Sequence, residues 1–137
     1  MERLEVYAAH LRRWQGAINL VSRASLDDLW RRHFLDSAQL LRHAPAGVHW
    51  LDLGSGAGFP GLVLAIMGAR VTLVESDQRK CVFLREAARL SGAAVSILAQ
   101  RIEDPPTGMD AVDIITARAL APLDRLIALA APWAGLD

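Results

Sequence analysis

The residues best suited to chemistry lie in one run, Trp50-Leu51-Asp52-Leu53-Gly54-Ser55-Gly56-Ala57-Gly58-Phe59-Pro60-Gly61. An apolar stretch there delivers four glycines, Gly54, Gly56, Gly58 and Gly61, to a turn that opens a helix. Glycine is needed where backbone approaches a ligand closely or takes positive φ, and a helix start offers unpaired N–H groups. Such a turn is expected to hold a nucleoside cofactor. Gly56, Gly58 and Gly61 also satisfy the G-x-G-x-x-G spacing that cradles a dinucleotide pyrophosphate. Asp52, two residues ahead of the first glycine, argues against that ligand, because a carboxylate facing it would repel pyrophosphate and suit an ammonium or a sulfonium. S-adenosylmethionine carries both cations. A second apolar run, Val71-Thr72-Leu73-Val74, ends in Glu75, about 20 residues beyond Gly54, the offset at which an acid accepts bonds from ribose hydroxyls. Each acid alone also fits a plainer role, Asp52 capping the turn and Glu75 starting the next helix. Their joint placement favours the methyl donor.

In a parallel sheet the carboxyl ends of the strands face the ligand crevice, so the residues after the later strands carry weight as well. Gln100-Arg101-Ile102-Glu103 suits an adenine lying against Ile102, with backbone groups reading its edge. Arg118, within Thr116-Ala117-Arg118-Ala119, can hold a carboxylate or phosphate bidentately, or can serve as a structural partner for Asp52, Glu75 or Glu103. His33, between Arg32 and Phe34, reads as a hydrogen-bonded packing residue more readily than as a catalyst.

The elements that must position these residues fall in two parts joined near Ala44-Pro45-Ala46-Gly47. Residues 1–44 read as a helical extension. Leu4, Ala8, Leu11, Trp14 and Ile18 give one helix an apolar stripe, with Arg12 and Arg13 facing elsewhere. Ser25 followed by Asp28 reads as the next helix start, and Leu29, Trp30, Phe34 and Leu41 continue helical spacing. From 45 to 137, strands near 48–53, 70–75, 94–99 and 111–117 alternate with helices near 60–67, 78–90 and 122–131. Gly68 and Gly92 act as helix stops, and Pro105, Pro106 and Gly108 mark one long loop. The expected class is therefore α/β, a Rossmann-like parallel sheet with helices on both faces.

Composition narrows the field further. The 137 residues make one domain by length, and a hydrophobic share of 53% supports a core. Lys+Arg and Asp+Glu both total 15, so no global field draws the chain to nucleic acid or membrane, and any polyanion site must be local. Residues 1–44 hold seven arginines against five acids. Arg12, Arg13, Arg23, Arg31 and Arg32 are candidates for phosphate contact, with a solvated helix face as the plainer alternative. The lone Cys81 excludes a disulfide framework or cysteine metal cluster and fits a cytoplasmic protein, and no apolar run suggests a signal or membrane span.

Several segments in order carry a more specific resemblance: Asn19-Leu20-Val21-Ser22, Arg32-His33-Phe34-Leu35-Asp36-Ser37, the turn from Asp52 to Gly61, Val74-Glu75-Ser76, Phe83-Leu84-Arg85, Arg101-Ile102-Glu103 and Arg118-Ala119. The chain resembles, over nearly its whole length, the bacterial small-subunit (16S) ribosomal RNA guanine-N7 methyltransferases, the glucose-inhibited division protein B family. The resemblance implies a class I S-adenosylmethionine-dependent fold, methyl transfer to guanine N7, a small-subunit RNA or ribosomal particle as partner, and no membrane or metal. It also implies cofactor contacts at Gly54, Phe59, Ile102, Glu103 and Arg118, beside Asp52, Gly56, Gly58 and Glu75 from the residues themselves. Methylation at N7 uses a free lone pair, so no general base is expected. Family sheets have about seven strands where this chain would supply four, so the C-terminal strands are expected to be missing and activity impaired.

Two other classes compete. Many small dinucleotide oxidoreductases use a Tyr-x-x-x-Lys pair, but Tyr7 and Lys80 are the sole tyrosine and lysine. A noncatalytic binding module could retain RNA affinity on its arginine-bearing helices. Among methyl transfers, the Asn/Asp-Pro-Pro-aromatic segment used on exocyclic amines is replaced by Thr116-Ala117-Arg118-Ala119, and Cys81 on a covering helix is a poor nucleophile for a pyrimidine carbon.

Overall fold

The computed structural model describes residues 2–118 and 121–135, the side chain of Arg31 excepted. Four strands, β1 (His49–Leu53), β2 (Arg70–Glu75), β3 (Val95–Ala99) and β4 (Ile114–Ala117), pair in parallel in the order β3-β2-β1-β4. Their aliphatic runs suit a sheet covered on both faces, and every residue of central β1 is buried. The strands expected from sequence are all present. The fourth starts later, at Ile114, because Asp113 is committed to His49 of β1. Its N–H donates to the His49 carbonyl, and its carboxylate accepts the His49 N–H at 2.7 Å.

Six α-helices complete the described chain: α1 (Glu2–Gln15), α2 (Arg23–Asp27), α3 (Asp36–Gln39), α4 (Gly61–Ile66), α5 (Gln78–Ser91) and α6 (Leu123–Ala130). The crossovers β1-α4-β2 and β2-α5-β3 use short loops. Asp77 caps α5 by accepting the Lys80 N–H at 3.0 Å, and Gly92 closes it at φ 71°. On one sheet face, Trp50, Val71 and Leu73 pack with Leu62 and Val63 of α4, Phe83 and Leu84 of α5, and Tyr7, Ala8 and Leu11 of α1. Each such aliphatic side chain contributes roughly 1.5–3 kcal/mol by leaving water. The helical extension therefore shares its core with the sheet, and Arg3 ties its start to the end of α5 by donating to the Ser91 carbonyl at 2.6 Å. On the other face, Leu51, Leu53 and Val74 lie beneath Trp133, from the 3-10 helix Ala131–Ala134 that follows α6, and beneath the 100–113 loop.

The extension departs from expectation in three places. Tyr7 and His10 join the buried side of α1, while Ile18 falls past its end. The cap of α2 is Ser22 and not Ser25: Gln15 accepts from the Leu20 and Val21 N–H groups and holds the loop so that Ser22 Oγ accepts the Ser25 N–H at 3.1 Å. Between Trp30 and Leu35 the chain winds as a π-helix before α3 and the 3-10 helix Leu40–His43. The wider turn buries Leu29 and Phe34, five residues apart, and leaves Trp30 36% exposed at the rim.

Candidate functional site

Successive crossovers run from β1 toward β3, and β4 then returns to the opposite side of β1. A parallel sheet opens its ligand crevice at such a reversal, beyond the carboxyl ends of the strands. The turn from Gly54 to Pro60, Glu75 at the end of β2 and Arg118 after β4 all lie at that end.

The turn is built by groups that claim its amides. Gly56 N–H donates to Glu75 Oε1 at 2.8 Å, Gly58 N–H to the Ser55 carbonyl at 2.7 Å, and Gly61 N–H to Asp52 Oδ2 at 3.2 Å. The Gly54 and Ser55 N–H groups donate to the Val74 carbonyl. Glycine is compulsory at two points. A Cβ on Gly61 would sit 2.8 Å from Asp52 Oδ2 and drive into Leu73, and one on Gly58, at φ +97°, would sit 2.6 Å from the Tyr7 hydroxyl. That hydroxyl donates to the Ala57 carbonyl, so α1 clamps the turn from below. Tyr7 is fully buried and stacks on Phe34 at 5.4 Å between ring centroids, with Phe59 and Phe83 beside it. The apolar stripe read from sequence, Leu4, Ala8, Leu11, Trp14 and Ile18, did not include Tyr7, and nothing in sequence showed what its hydroxyl meets.

Both acids expected to face the ligand also brace the turn. Asp52 is 1% exposed, its Oδ1 accepting the hydroxyl of its register partner Thr116 at 2.9 Å. Burial pushes its carboxyl up to about 7, opposed by the Thr116 and Gly61 hydrogen bonds and by the charge of Arg118. Glu75, 8% exposed, also accepts the Asp77 N–H on Oε2 at 2.9 Å. One bond to each oxygen fixes the carboxylate and leaves a second lone pair on each.

Arg118 is exposed and carries no carboxylate partner among the described residues. Its Nη1 lies 3.4 Å from His33 Nδ1, and His33 stacks on Phe59 with centroids 4.4 Å apart and planes 12° from parallel. A groove of about 410 Å³ beside it is lined by Asp36, Ser37, Leu40, Pro60 and Ile115 to Arg118. Ala119 lies outside the described residues.

Six of the nine expected contacts, Asp52, Gly54, Gly56, Gly58, Phe59 and Glu75, therefore gather at the turn, with Arg118 across the β1–β4 seam. Ile102 and Glu103 lie on the loop after β3, with Ile102 packed on the Leu51, Leu53 and Val74 cluster. The Gln100 N–H donates to the Glu75 carbonyl and starts their loop beside Glu75. Beyond it, the Ile102 carbonyl accepts the Trp133 indole N–H, and Glu103 pairs with Arg101 at 3.0 Å. Arg12, Arg13, Arg23 and Arg32 are exposed, with Arg12 and Arg23 on one groove beside Asn19. Arg31 lies outside the described side chains. Among the described residues no group of His, Cys, Asp and Glu is placed to hold a metal, and no helix is long and apolar enough to cross a membrane.

Comparison with known proteins extends this picture. The family model described as rRNA small subunit methyltransferase G matches residues 1–135. Curated relatives named ribosomal RNA small subunit methyltransferase G include one from Parvibaculum lavamentivorans, 56% identical over 98% of this chain and 62% of the relative. Another, from a Ruegeria species, is 51% identical over 95% and 65%. The chain thus spans under two thirds of the length of these relatives. Among solved structures, a 16S rRNA guanine-N2 methyltransferase of Thermus thermophilus in complex with AdoMet and guanosine aligns at TM-score 0.56 and 27% identity, over 77% of this chain and 28% of that one. A TehB-like SAM-dependent methyltransferase from Corynebacterium glutamicum aligns at TM-score 0.61 and 20% identity, over 96% and 66%, which shows a shared class I methyltransferase fold.

Proposed function

The chain belongs to the rRNA small subunit methyltransferase G family, and from that premise we propose that it carries the S-adenosylmethionine site of an enzyme that methylates guanine N7 in small-subunit ribosomal RNA. One observation carries the cofactor reading: the amides a pyrophosphate would need are already taken by carboxylates and carbonyls, Gly56 by Glu75 and Gly61 by Asp52. What remains is a close-packed glycine cradle over two acidic side chains that only accept hydrogen bonds from the turn, a setting that disfavours a diphosphate and suits a cation. The residues fit the group. Glu75 offers its spare lone pairs to ribose hydroxyls, Gly54 and Gly56 allow close approach, Gly58 is a proposed backbone contact whose missing Cβ admits the Tyr7 hydroxyl from the protein side, and Phe59 supplies an apolar wall. Ile102 and Glu103, on the loop that starts beside Glu75, are proposed contacts. Residues 1–44 are assigned as an extension whose arginines meet RNA phosphate, and the protein as cytoplasmic.

Bound S-adenosylmethionine supplies an electrophilic methyl group on a sulfonium sulfur. The protein's part is placement. Because N7 presents a lone pair, no side chain needs to remove a proton before attack, and orientation can supply roughly 7–11 kcal/mol in favourable cases. Asp52 sits behind the turn and gains negative charge as pH rises through about 7, Thr116 and Gly61 fix its carboxyl, and Arg118 stands where an RNA phosphate or the base edge would arrive. The absence of an Asn/Asp-Pro-Pro-aromatic segment at Thr116-Ala117-Arg118 speaks against exocyclic amine chemistry.

Incubating the chain with unmethylated small subunits and methyl-labelled S-adenosylmethionine, then mapping the label by cleavage at N7-methylguanine, tests the reading. Label at one guanine N7 is expected. Label on protein or on an exocyclic amine in place of N7 would overturn the assigned reaction.

A further inference from the structure

The π-helical turn and the start of α3 hold one polar atom each that the fold leaves unused. His33 Nε2 and Ser37 Oγ are both buried without a hydrogen-bond partner among the described residues. An unmet buried polar group costs on the order of 1–3 kcal/mol, so a pair of them four residues apart calls for an explanation. Each has neighbours that give it a direction. Ser37 lines the groove at the end of β4 together with Thr116 and Arg118. The His33 ring lies flat on Phe59, the apolar wall of the glycine turn. Arg118 can only donate, so His33 Nδ1 accepts from it and the proton of the neutral ring sits on Nε2. Burial and the Arg118 charge both hold the ring neutral by lowering its pKa. The result is an N–H donor and a hydroxyl four residues apart, the hydroxyl lining a groove that adjoins the cofactor turn and the His33 ring bonded to Arg118 of the same groove.

We propose that His33 and Ser37 form a base-reading site that accepts a guanine flipped out of RNA, His33 donating from Nε2 to the guanine O6 and Ser37 bonding the same edge. A carbonyl acceptor satisfies the orphaned N–H, and adenine, which presents an amine donor at that position, does not. The π-turn is what makes this possible. Its wider winding buries Phe34 in the core while His33, one residue earlier, lies across Phe59. The inference rests on the cofactor reading above and adds which residues recognise the base.

The chain saturated with S-adenosylhomocysteine is titrated with 5′-GMP and with the monophosphate of 2-aminopurine riboside, which lacks O6, for the wild type and for His33→Phe and Ser37→Ala. His33→Phe keeps a ring on Phe59 and removes the donor. Wild-type protein should bind GMP at least tenfold tighter than the 2-aminopurine nucleotide. His33→Phe should erase that difference with cofactor affinity changed less than twofold, and Ser37→Ala should weaken GMP about threefold. His33→Gln, which restores an N–H, should recover part of the preference. Bound cofactor with no GMP binding, or GMP preference unchanged in His33→Phe, overturns the base-reading site. Failure of S-adenosylhomocysteine to bind at all overturns the cofactor assignment instead.

Discussion

Asp52 concentrates the electrostatics of the site in one side chain. Its carboxyl is raised by burial from 3.8 to about 7 and is held by Thr116 and Gly61. A folded-state pKa above the unfolded one means the contribution to stability is complete below about pH 4 and is lost as pH rises through about 7. Urea unfolding should therefore show stability falling by on the order of 3 kcal/mol between pH 4 and 7.5, and Asp52→Asn should flatten that slope. Above pH 7 the same group gains charge behind the turn. Preference for S-adenosylmethionine over the uncharged-sulfur S-adenosylhomocysteine should then rise threefold or more from pH 6 to 8 in the wild type and stay level in Asp52→Asn. A second test concerns Gly61, where an added methyl meets Asp52 and Leu73. Gly61→Ala should lose about 1–3 kcal/mol, while Gly16→Ala, with nothing within 4 Å of its Cβ, should stay within about 0.5 kcal/mol. Sequence placed both acids beside the glycines correctly. It offered Asp52 as a cap of the turn, but not that Glu75 takes the Gly56 amide or that Thr116, 64 residues away, fixes the Asp52 carboxyl.

Among the elements, α1 does more than cover the sheet. Tyr7 donates to the Ala57 carbonyl from beneath the glycine turn, and Arg3 at the start of the same helix holds the carboxyl end of α5. Tyr7→Phe removes only the hydroxyl and leaves a buried carbonyl unpaired. It should cost about 1–2 kcal/mol in urea unfolding and weaken S-adenosylhomocysteine severalfold under conditions where the variant remains folded; unchanged cofactor affinity would reduce Tyr7 to a packing residue. The parallel strands and α5 were legible because aliphatic runs and the Gly92 stop agree with one another. The π-turn was not, since its sequence fits ordinary helical spacing equally well, and only packing of Leu29 and Phe34 on a shared core selects the wider winding.

For the molecule as a whole, the strand order β3-β2-β1-β4 explains why residues far apart in sequence meet. Reversal at the β1–β4 seam brings the turn after β1 to Arg118 after β4, and the helical extension lays His33 on Phe59 over the same end. The pairing of glycine turn and acids was readable from sequence through its spacing. The reach of the extension into the site was not readable, since no local pattern links residue 33 to residue 118. Everything depends on the turn accepting a sulfonium nucleoside in place of a dinucleotide. Calorimetric titration of the chain with S-adenosylhomocysteine and, separately, with NADH decides this most directly. Saturable binding of S-adenosylhomocysteine with no heat from NADH is the predicted result, and NADH binding without any for S-adenosylhomocysteine would contradict it.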